Sequence, residues 1–135
     1  MEYNVSIKMA KIIRLKSNIK RENMDNTRQK GRHYEQIALE YLLSLGFELI
    51  AQNFHSRYGE IDIIMQKDST LHFIEVKSSH CMQPLLKITP KKLERLTKTI
   101  YVFLEEKQLT KHFCIDAISI YKDNITFIEN ITFGL

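Results

Sequence analysis

Three charged residues stand in two otherwise apolar stretches, Ile61–Met65 and Phe73–Lys77. They are Asp62 in the first stretch, and Glu75 and Lys77 in the second. An ionised side chain is costly to bury unless it is paired or binds a metal. Two carboxylates about 4–5 Å apart repel by roughly 3–4 kcal/mol at an effective dielectric of about 20, and a bound cation removes that repulsion. The pattern therefore indicates a site.

The donor types suit Mg²⁺ or Mn²⁺. Mg²⁺ takes oxygen ligands, usually one or two carboxylates together with waters and a substrate phosphate. Asp62 and Glu75 supply the carboxylates, and the backbone carbonyls of Ile74 and Val76 are further candidate ligands. Lys77 would then stabilise a pentavalent phosphate or position an attacking water.

The two stretches have the composition of adjacent β-strands joined by a polar turn at Lys67–Thr70. Ile, Val and Phe favour strands, whereas Gly, Asp, Ser and Thr favour turns. Side chains alternate between the two faces of a strand, so Glu75 and Lys77 point the same way. We expect Asp62 to face them from the neighbouring strand.

Two further acids can reach the same cluster. Glu35 lies at the edge of the apolar stripe of a preceding helix, where it is either an outer ligand that holds water or a solvated helix acid. Glu60 shares a strand face with Asp62 by alternation. It is compatible with a further ligand or with an ion-pair partner of Arg57 or a lysine.

The other elements are predicted from periodicity and end signals. Apolar residues at helical spacing predict a helix from about Arg32 to Leu45, and Gly46 suits a left-handed cap after its last turn. Thr89-Pro90 is a helix start, with Thr as the cap and Pro in the first turn, and this helix should end near Glu106. Strands are expected over 47–54, from 59 onward, and over 71–78, 111–120 and 125–128, with a polar loop over 53–58.

The order helix, three strands, helix, two strands predicts an α/β fold, with one mixed sheet of four to five strands flanked by two helices. No apolar run reaches the roughly 18 residues that span a bilayer, so no membrane segment is expected. There is no apolar block before a small-residue cleavage site, so no secretory signal is expected. Cys81 and Cys114 are far apart without a CxxC pattern, so we expect reduced thiols in a cytoplasmic protein.

The excess positive charge lies at the N-terminus. Residues 1–30 carry a net charge of +5 and residues 31–135 a net charge of −1. The first segment is predicted to be a basic, mobile extension, and residues 31–135 one domain. A basic arm favours nucleic acid or an anionic surface, and a solvated tail is the alternative interpretation.

The histidines and cysteines show no zinc-like spacing, so no zinc site is predicted. His112-x-Cys114 is too short and too isolated to indicate one. Asp116 lies between two apolar residues and should be paired with another group, which is compatible with a structural role.

Asp62, followed by Glu75-Val76-Lys77 on the next strand and preceded by a helical Glu, resembles the PD-(D/E)xK nuclease superfamily. The closer resemblance is to its YraN-like family of small bacterial proteins, and it covers residues 31 to about 121. The residues that carry it are Gly31-x-x-x-Glu35-x-x-Ala38, Asn53, Gly59-Glu60-Ile61-Asp62, Phe73-Ile74-Glu75-Val76-Lys77, Thr89-Pro90-x-Lys92 and Phe113-x-x-Asp116.

The resemblance implies a restriction-endonuclease-like fold and metal-dependent hydrolysis of phosphodiester bonds, with Mg²⁺ or Mn²⁺ as the cofactor. It implies that Asp62 and Glu75 are metal ligands and that Lys77 is the catalytic lysine. It further implies that Glu35 is the catalytic acid on the helix and that Lys92 contacts a substrate phosphate. The expected partner is nucleic acid: DNA, structured or branched DNA included, or RNA.

Three positions depart from the pattern. Ser79 and His112 stand where the family usually has arginines, and Ile61 precedes Asp62 where the superfamily commonly has proline. The missing arginines weaken the expected substrate contacts more than the metal site. The alternatives are therefore a nucleic-acid-binding module that keeps the fold without efficient cleavage, and an interaction protein whose charged cluster is only structural.

Overall fold

The structure, a computed structural model, describes residues 27–79, 88–110 and 112–131. The predicted extension up to residue 26 and the segment around Pro84 lie outside these residues. The predicted order of elements is confirmed. The elements are α1 (Thr27–Ser44), β1 (Glu48–Ser56), β2 (Gly59–Lys67), β3 (Thr70–Ser79), α2 (Pro90–Glu106), β4 (His112–Tyr121) and β5 (Asn124–Ile128).

The five strands form one mixed sheet in the order β1-β2-β3-β4-β5. Strands β3 and β4 run parallel, and the other neighbours are antiparallel. A parallel pair needs a crossover connection, and α2 lies within it. The α/β class, the mixed sheet and the two helices are as predicted, and they are consistent with a restriction-endonuclease-like fold. Within the described ranges, no helix has the length and apolar character needed to cross a bilayer.

Each helix covers one face of the sheet, and each face has its own core. The core beneath α1 contains Ala38, Leu39, Tyr41, Leu42, Phe47, Ile63, Met65, Ile74, Ile118, Ile120 and Ile125. The core beneath α2 contains Ile61, Ile64, Leu71, Phe73, Leu93, Leu96, Ile100, Phe103 and Ile115. Burial of both faces explains why β2 and β3 are apolar almost throughout.

Helix α1 begins earlier than predicted. The sequence indicated a start near Arg32 after mobile chain, but the helix starts at Thr27. Residues 28–32 are exposed, so their polar side chains show no apolar periodicity. Once the packed part of a helix has formed, it extends by one hydrogen bond for each residue added, and exposed polar residues can join it.

The end of α1 is as predicted. Gly46 has a φ of +89°, the left-handed conformation that glycine adopts without steric cost. Its N–H donates to the carbonyl of Leu43 at 3.1 Å, and the N–H of Phe47 donates to the carbonyl of Leu42 at 3.2 Å. These two bonds make a Schellman motif, which satisfies carbonyls left open by the last turn.

The start of α2 is also confirmed. Thr89 is the N-cap, and its side-chain oxygen accepts the N–H of Lys92 at 3.2 Å. Pro90 occupies the first helical position, where no N–H is needed. The helix ends at Glu106, as expected.

The predicted polar loop over 53–58 was wrong for most of its length. Strand β1 continues through Ser56, which pairs with Gly59 across a two-residue turn. The N–H of Tyr58 in this turn donates to the Ser56 hydroxyl at 3.0 Å. Because β1 is an edge strand with exposed side chains, polar residues are compatible with its pairing.

The aromatic contacts beneath α2 give the first testable prediction. Phe103 is fully buried, with ring centroids 5.2 Å from Phe54 and 5.7 Å from Phe73. Phe103→Ala should lower the free energy of unfolding by about 3–5 kcal/mol in urea denaturation, because it leaves a cavity in the core. Tyr101→Ala on the same helix is the matched control. Its side chain is 59% exposed, so the expected loss is about 1 kcal/mol or less, and equal losses would contradict this packing.

Candidate functional site

The site forms where the pairing of β2 with β3 ends. The last paired residues are Ile63 and Ile74. Immediately beyond them, the Asp62 carboxylate accepts the backbone N–H of Val76 at 2.8 Å. A side chain thus links the two strands where the backbone ladder stops, and the prediction that Asp62 faces β3 is confirmed.

Strict alternation of side chains breaks down at Asp62. Ile63 lies in the core beneath α1, yet Ile61 lies in the core beneath α2. On β1, Asn53 stands opposite Asp62 in the register and has a φ of +51°. Asn tolerates this left-handed conformation better than most residues. The irregular backbone therefore lies beside Asp62.

Three carboxylates meet at this point. Oxygens of Glu35 on α1, and of Glu60 and Asp62 on β2, lie within 4.8 Å of one another. With its amide nitrogen facing the acids, Asn53 donates to Glu60 Oε1 at 3.0 Å and to Glu35 Oε2 at 3.1 Å. The structure therefore brings both weighed acids together with Asp62 and adds Asn53 as the residue that bridges two of them.

Glu75 and Lys77 form an ion pair beside this cluster. Lys77 Nζ lies 2.9 Å from Glu75 Oε1, and both side chains are less than one-fifth exposed. Glu75 acts electrostatically on both Asp62 and Glu35, so it belongs to the same site. Of the predicted metal ligands, Asp62 lies within the carboxylate group, whereas Glu75 is engaged by the lysine next to it.

Nearby positive charges and hydrogen bonds do not offset the burial and mutual repulsion of the carboxylates. Burial, followed by repulsion from Glu75, raises the pKa of Asp62 to about 8, although the Val76 N–H and Lys77 oppose this. Burial, followed by repulsion from Glu60, also raises the pKa of Glu35. Without a bound cation, Asp62 is therefore mostly protonated at neutral pH, as expected for a buried acid beside another carboxylate.

Lys77 stays charged. Burial alone lowers the pKa of Lys77, but the ion pair with Glu75 and the nearby Asp62 outweigh it, so the pKa of Lys77 rises above its usual value. The side chain of Lys92 also interacts with Lys77, which places the predicted phosphate contact next to the site.

A cleft of about 530 Å³ opens beside the carboxylates. Two arginines on its wall were not predicted as site residues, because the helix was expected to begin only at Arg32. Arg28 and Arg32 are four residues apart, a spacing that places both on one helix face. The lining residues are Arg28, Gly31, Arg32, Glu35, Asn53, His55 and Glu60.

The alternatives for Glu60 can also be compared with the contacts. Besides Asn53 and the two acids, Glu60 contacts His55, at 3.7 Å between Oε2 and Nδ1. The Arg57 guanidinium donates instead to the hydroxyl of Tyr58. Glu60 therefore lies in the carboxylate group, and the basic side chain that contacts it is His55 rather than Arg57.

The raised pKa of Asp62 predicts how stability depends on pH without added metal. A carboxyl whose folded pKa lies above its unfolded value destabilises the folded state increasingly as pH rises from about 4 towards 8, since only the unfolded state ionises freely. Asp62→Asn removes this penalty and retains an oxygen that accepts the Val76 N–H. We expect the stability advantage of the variant to grow by on the order of 2–3 kcal/mol between pH 4.5 and 7.

The measurement is urea denaturation of both proteins in EDTA at several pH values. Asp68→Asn is the matched control, because Asp68 lies in the exposed turn between β2 and β3. Its stability difference from wild type should be nearly independent of pH. A constant difference for Asp62→Asn as well would contradict the raised pKa.

Comparisons with known proteins agree on one family. The profile of the uncharacterised protein family UPF0102 matches residues 34–120. A UPF0102 protein of Helicobacter hepaticus is 46% identical over 107 residues, which are 79% of this chain and 97% of that protein. One from Helicobacter pylori strain HPAG1 is 47% identical over 106 residues (78% and 93%), and one from Wolinella succinogenes is 44% identical over 106 residues (78% and 98%). The chain, with every predicted site residue inside the matched range, therefore belongs to the UPF0102 family.

Proposed function

We propose that this protein is a metal-dependent nuclease that hydrolyses phosphodiester bonds, with Mg²⁺ or Mn²⁺ as its cofactor and DNA as its expected substrate. The observation that carries the proposal is the group of Glu35, Glu60 and Asp62 beside the Glu75–Lys77 ion pair, in which Glu35 and Asp62 are partly buried and Glu60 is exposed. Its sequence pattern resembles the PD-(D/E)xK superfamily, and the mixed sheet between two helices is consistent with that resemblance.

The donor set fits a hard divalent cation. All its candidate ligand atoms are carboxylate oxygens, and such oxygens are what Mg²⁺ selects. Asp62 and Glu75 are the proposed ligands, and Glu35 and Glu60 lie close enough to Asp62 to supply further oxygens or to hold waters. When bound, the cation would activate the attacking water and stabilise charge on the leaving oxygen.

The chain's own residues would position the remaining groups. Lys77 offers a permanent positive charge on β3, which can stabilise charge that develops on the phosphate. Glu35 accepts a hydrogen bond from Asn53, which holds its carboxylate in a defined orientation to accept a proton from water. Lys92 lies beside Lys77 and would contact a phosphate of the substrate.

The cleft suggests a path for the nucleic acid backbone. Arg28 and Arg32 line the wall formed by α1, while Glu35 and Glu60 lie in the same cleft. Arginine recognises phosphate through paired hydrogen bonds, and phosphate contacts position a nucleic acid without reading its sequence. We propose that the two arginines guide the backbone towards the carboxylates.

A nucleic-acid-binding module that cuts poorly is the second candidate. Glu75 Oε1 forms an ion pair with Lys77 Nζ at 2.9 Å. Glu75 would have to leave this ion pair to bind a cation directly. Ser79 also stands where the family usually has an arginine. Both features are compatible with a site that binds nucleic acid more readily than it cleaves it.

Metal binding is tested by thermal denaturation. Mg²⁺ at about ten times its dissociation constant should stabilise the folded state by about 1.4 kcal/mol, a rise of several degrees in Tm, because it binds only the folded site. Asp62→Asn should abolish this rise. Glu105→Gln is the matched control. Glu105 begins a second Glu-x-Lys pattern, Glu105-Glu106-Lys107, which is exposed at the C-terminal end of α2. No shift in wild type at several millimolar Mg²⁺ would overturn the metal site.

Catalysis is tested with branched, nicked and single-stranded DNA in Mg²⁺ or Mn²⁺. Glu75→Ala and Lys77→Ala should each lower the cleavage rate by about 10²-fold or more, because each removes a charged group from the reacting phosphate or its cation. Lys107→Ala, from the second Glu-x-Lys pattern, should cleave like wild type. Cleavage that survives both site substitutions would come from a contaminant and refute the nuclease. Salt-dependent binding without cleavage would instead establish the module.

A further inference from the structure

A second polar cluster lies away from the carboxylates. It consists of His72 on β3 and of Cys114 and Asp116 on β4. His72 Nδ1 lies 2.5 Å from Asp116 Oδ2, and Cys114 Sγ lies 3.1 Å from that nitrogen and 3.3 Å from Asp116 Oδ1. An imidazole, a thiol and a carboxylate therefore converge on one point. The prediction that Asp116 is paired is confirmed.

Parallel strand pairing brings these residues together. The register aligns His72 with Cys114, and it aligns Ile74 with Asp116 two positions further along. Residues at even spacing share a strand face, so all three side chains lie on the same side of the sheet. The forty-two residues between His72 and Cys114 explain why no local spacing motif is visible.

The cluster is enclosed but accessible at one member. Asp116 is fully buried and His72 is 8% exposed, whereas Cys114 is half-buried. The ring of Phe47 packs edge-on against the imidazole with centroids 4.9 Å apart. An ion could thus approach along the thiol and would be held in a largely dry environment.

This cluster is separate from the proposed nuclease site. His72 and Glu75 are three residues apart on β3, which corresponds to about 10 Å, and odd spacing places them on opposite faces of the strand. The donors differ as well. The nuclease site presents only carboxylate oxygens, whereas this one presents nitrogen and sulfur in addition to oxygen.

Two chemical roles for Cys114 can be compared. Burial, followed by the Asp116 carboxylate, raises the pKa of the Cys114 thiol, so the free cluster does not hold a nucleophilic thiolate. The thiol and Asp116 also approach the same nitrogen of His72, whereas a catalytic relay uses both ring nitrogens. The arrangement does not fit nucleophilic catalysis, but convergence on one point suits a metal.

We propose that His72, Cys114 and Asp116 bind a divalent cation of the zinc class. Sulfur and imidazole ligands select Zn²⁺ and Co²⁺ over Mg²⁺. A divalent ion with one thiolate, one carboxylate and one neutral imidazole has no net charge, and a neutral complex is suited to burial. Three protein ligands leave the fourth tetrahedral position to water.

The distances are close to those that the ion needs. Ligand bonds of about 2.0–2.3 Å in a tetrahedral site place the ligand atoms roughly 3.3–3.7 Å apart. His72 Nδ1 now lies 2.5 Å from Asp116 Oδ2 and 3.1 Å from Cys114 Sγ, and the sulfur lies 3.3 Å from Oδ1 of the same carboxylate. Each separation would therefore widen by about 1 Å or less. The protons that now join the donors would leave to solvent as the ion enters.

Such an ion would tie three segments together. It would join β3 to β4 through its ligands. Asp116 Oδ1 also accepts the N–H of Asn130 at 2.8 Å, and the next residue, Ile131, donates its N–H to the carbonyl of Ile115 at 2.8 Å. The chain after β5 is therefore held by the same carboxylate. The proposed role of the ion is structural, at the edge of the core beneath α1.

Co²⁺ titration of the full chain, with absorbance measured, is the test. A thiolate bound to Co²⁺ gives an intense near-ultraviolet charge-transfer band, which oxygen ligands do not give. We expect this band to saturate at one equivalent of Co²⁺ and to disappear on adding Zn²⁺, which binds more tightly. Zn²⁺ should also raise the Tm. No thiolate band in wild type would overturn the proposal.

The two cysteines provide a matched pair of variants. Cys114→Ser should lose the band and the Zn²⁺-dependent rise in Tm, whereas Cys81→Ser should keep both. Asp62→Asn should also keep the band, which separates this site from the nuclease centre. A band that depends on Cys81, or that persists in Cys114→Ser, would refute the assignment.

His72→Gln is the second test, and far-ultraviolet circular dichroism establishes that each variant is folded. Loss of an imidazole ligand should weaken Co²⁺ binding by at least about tenfold, since removing a group that only hydrogen-bonds to a metal ligand already costs roughly 10–100-fold in affinity. Should Cys114→Ser not fold, the affinity of His72→Gln decides. An unchanged affinity in this variant would overturn the proposal.

Discussion

The Asp62 carboxylate is the constraint on which the site depends. It replaces the backbone ladder where β2 and β3 stop pairing, through its bond to the Val76 N–H. Burial and the negative charge of Glu75 make this position unfavourable for an ionised acid. Two apolar cores, one on each face of the sheet, hold the strands in place against that cost. A cation at this point would offset the repulsion between the carboxylates and so favour the ionised form of Asp62.

Strand β3 contributes residues to two polar clusters, one on each of its faces. Glu75 and Lys77 point towards the carboxylate group, while His72, an odd number of residues away, points to the other face and meets Cys114 and Asp116. Parallel pairing with β4 forms the second cluster, and the end of antiparallel pairing with β2 forms the first. A single strand thus separates a cluster of carboxylates from a cluster that also contains a thiol and an imidazole.

Much of the fold was predictable because its signals are local. Gly46 and Thr89-Pro90 end one helix and begin the other where the sequence indicated, since a cap depends on a few neighbouring residues. The errors arose where polar residues belong to regular structure, in the first turns of α1 and in the β1 edge strand up to Ser56. Exposed positions carry no hydrophobic period, so polarity alone cannot tell loop from exposed helix or strand.

The sequence by itself determined which residues carry charge in apolar strands, and that Glu75 and Lys77 share a face. It did so because alternation along a strand is local geometry. Only the tertiary structure decided that Glu35 and Glu60 join Asp62, through the left-handed backbone of Asn53 and the packing of α1. It also decided which groups surround His72, since contacts across forty-two residues depend on strand register, which no local period encodes.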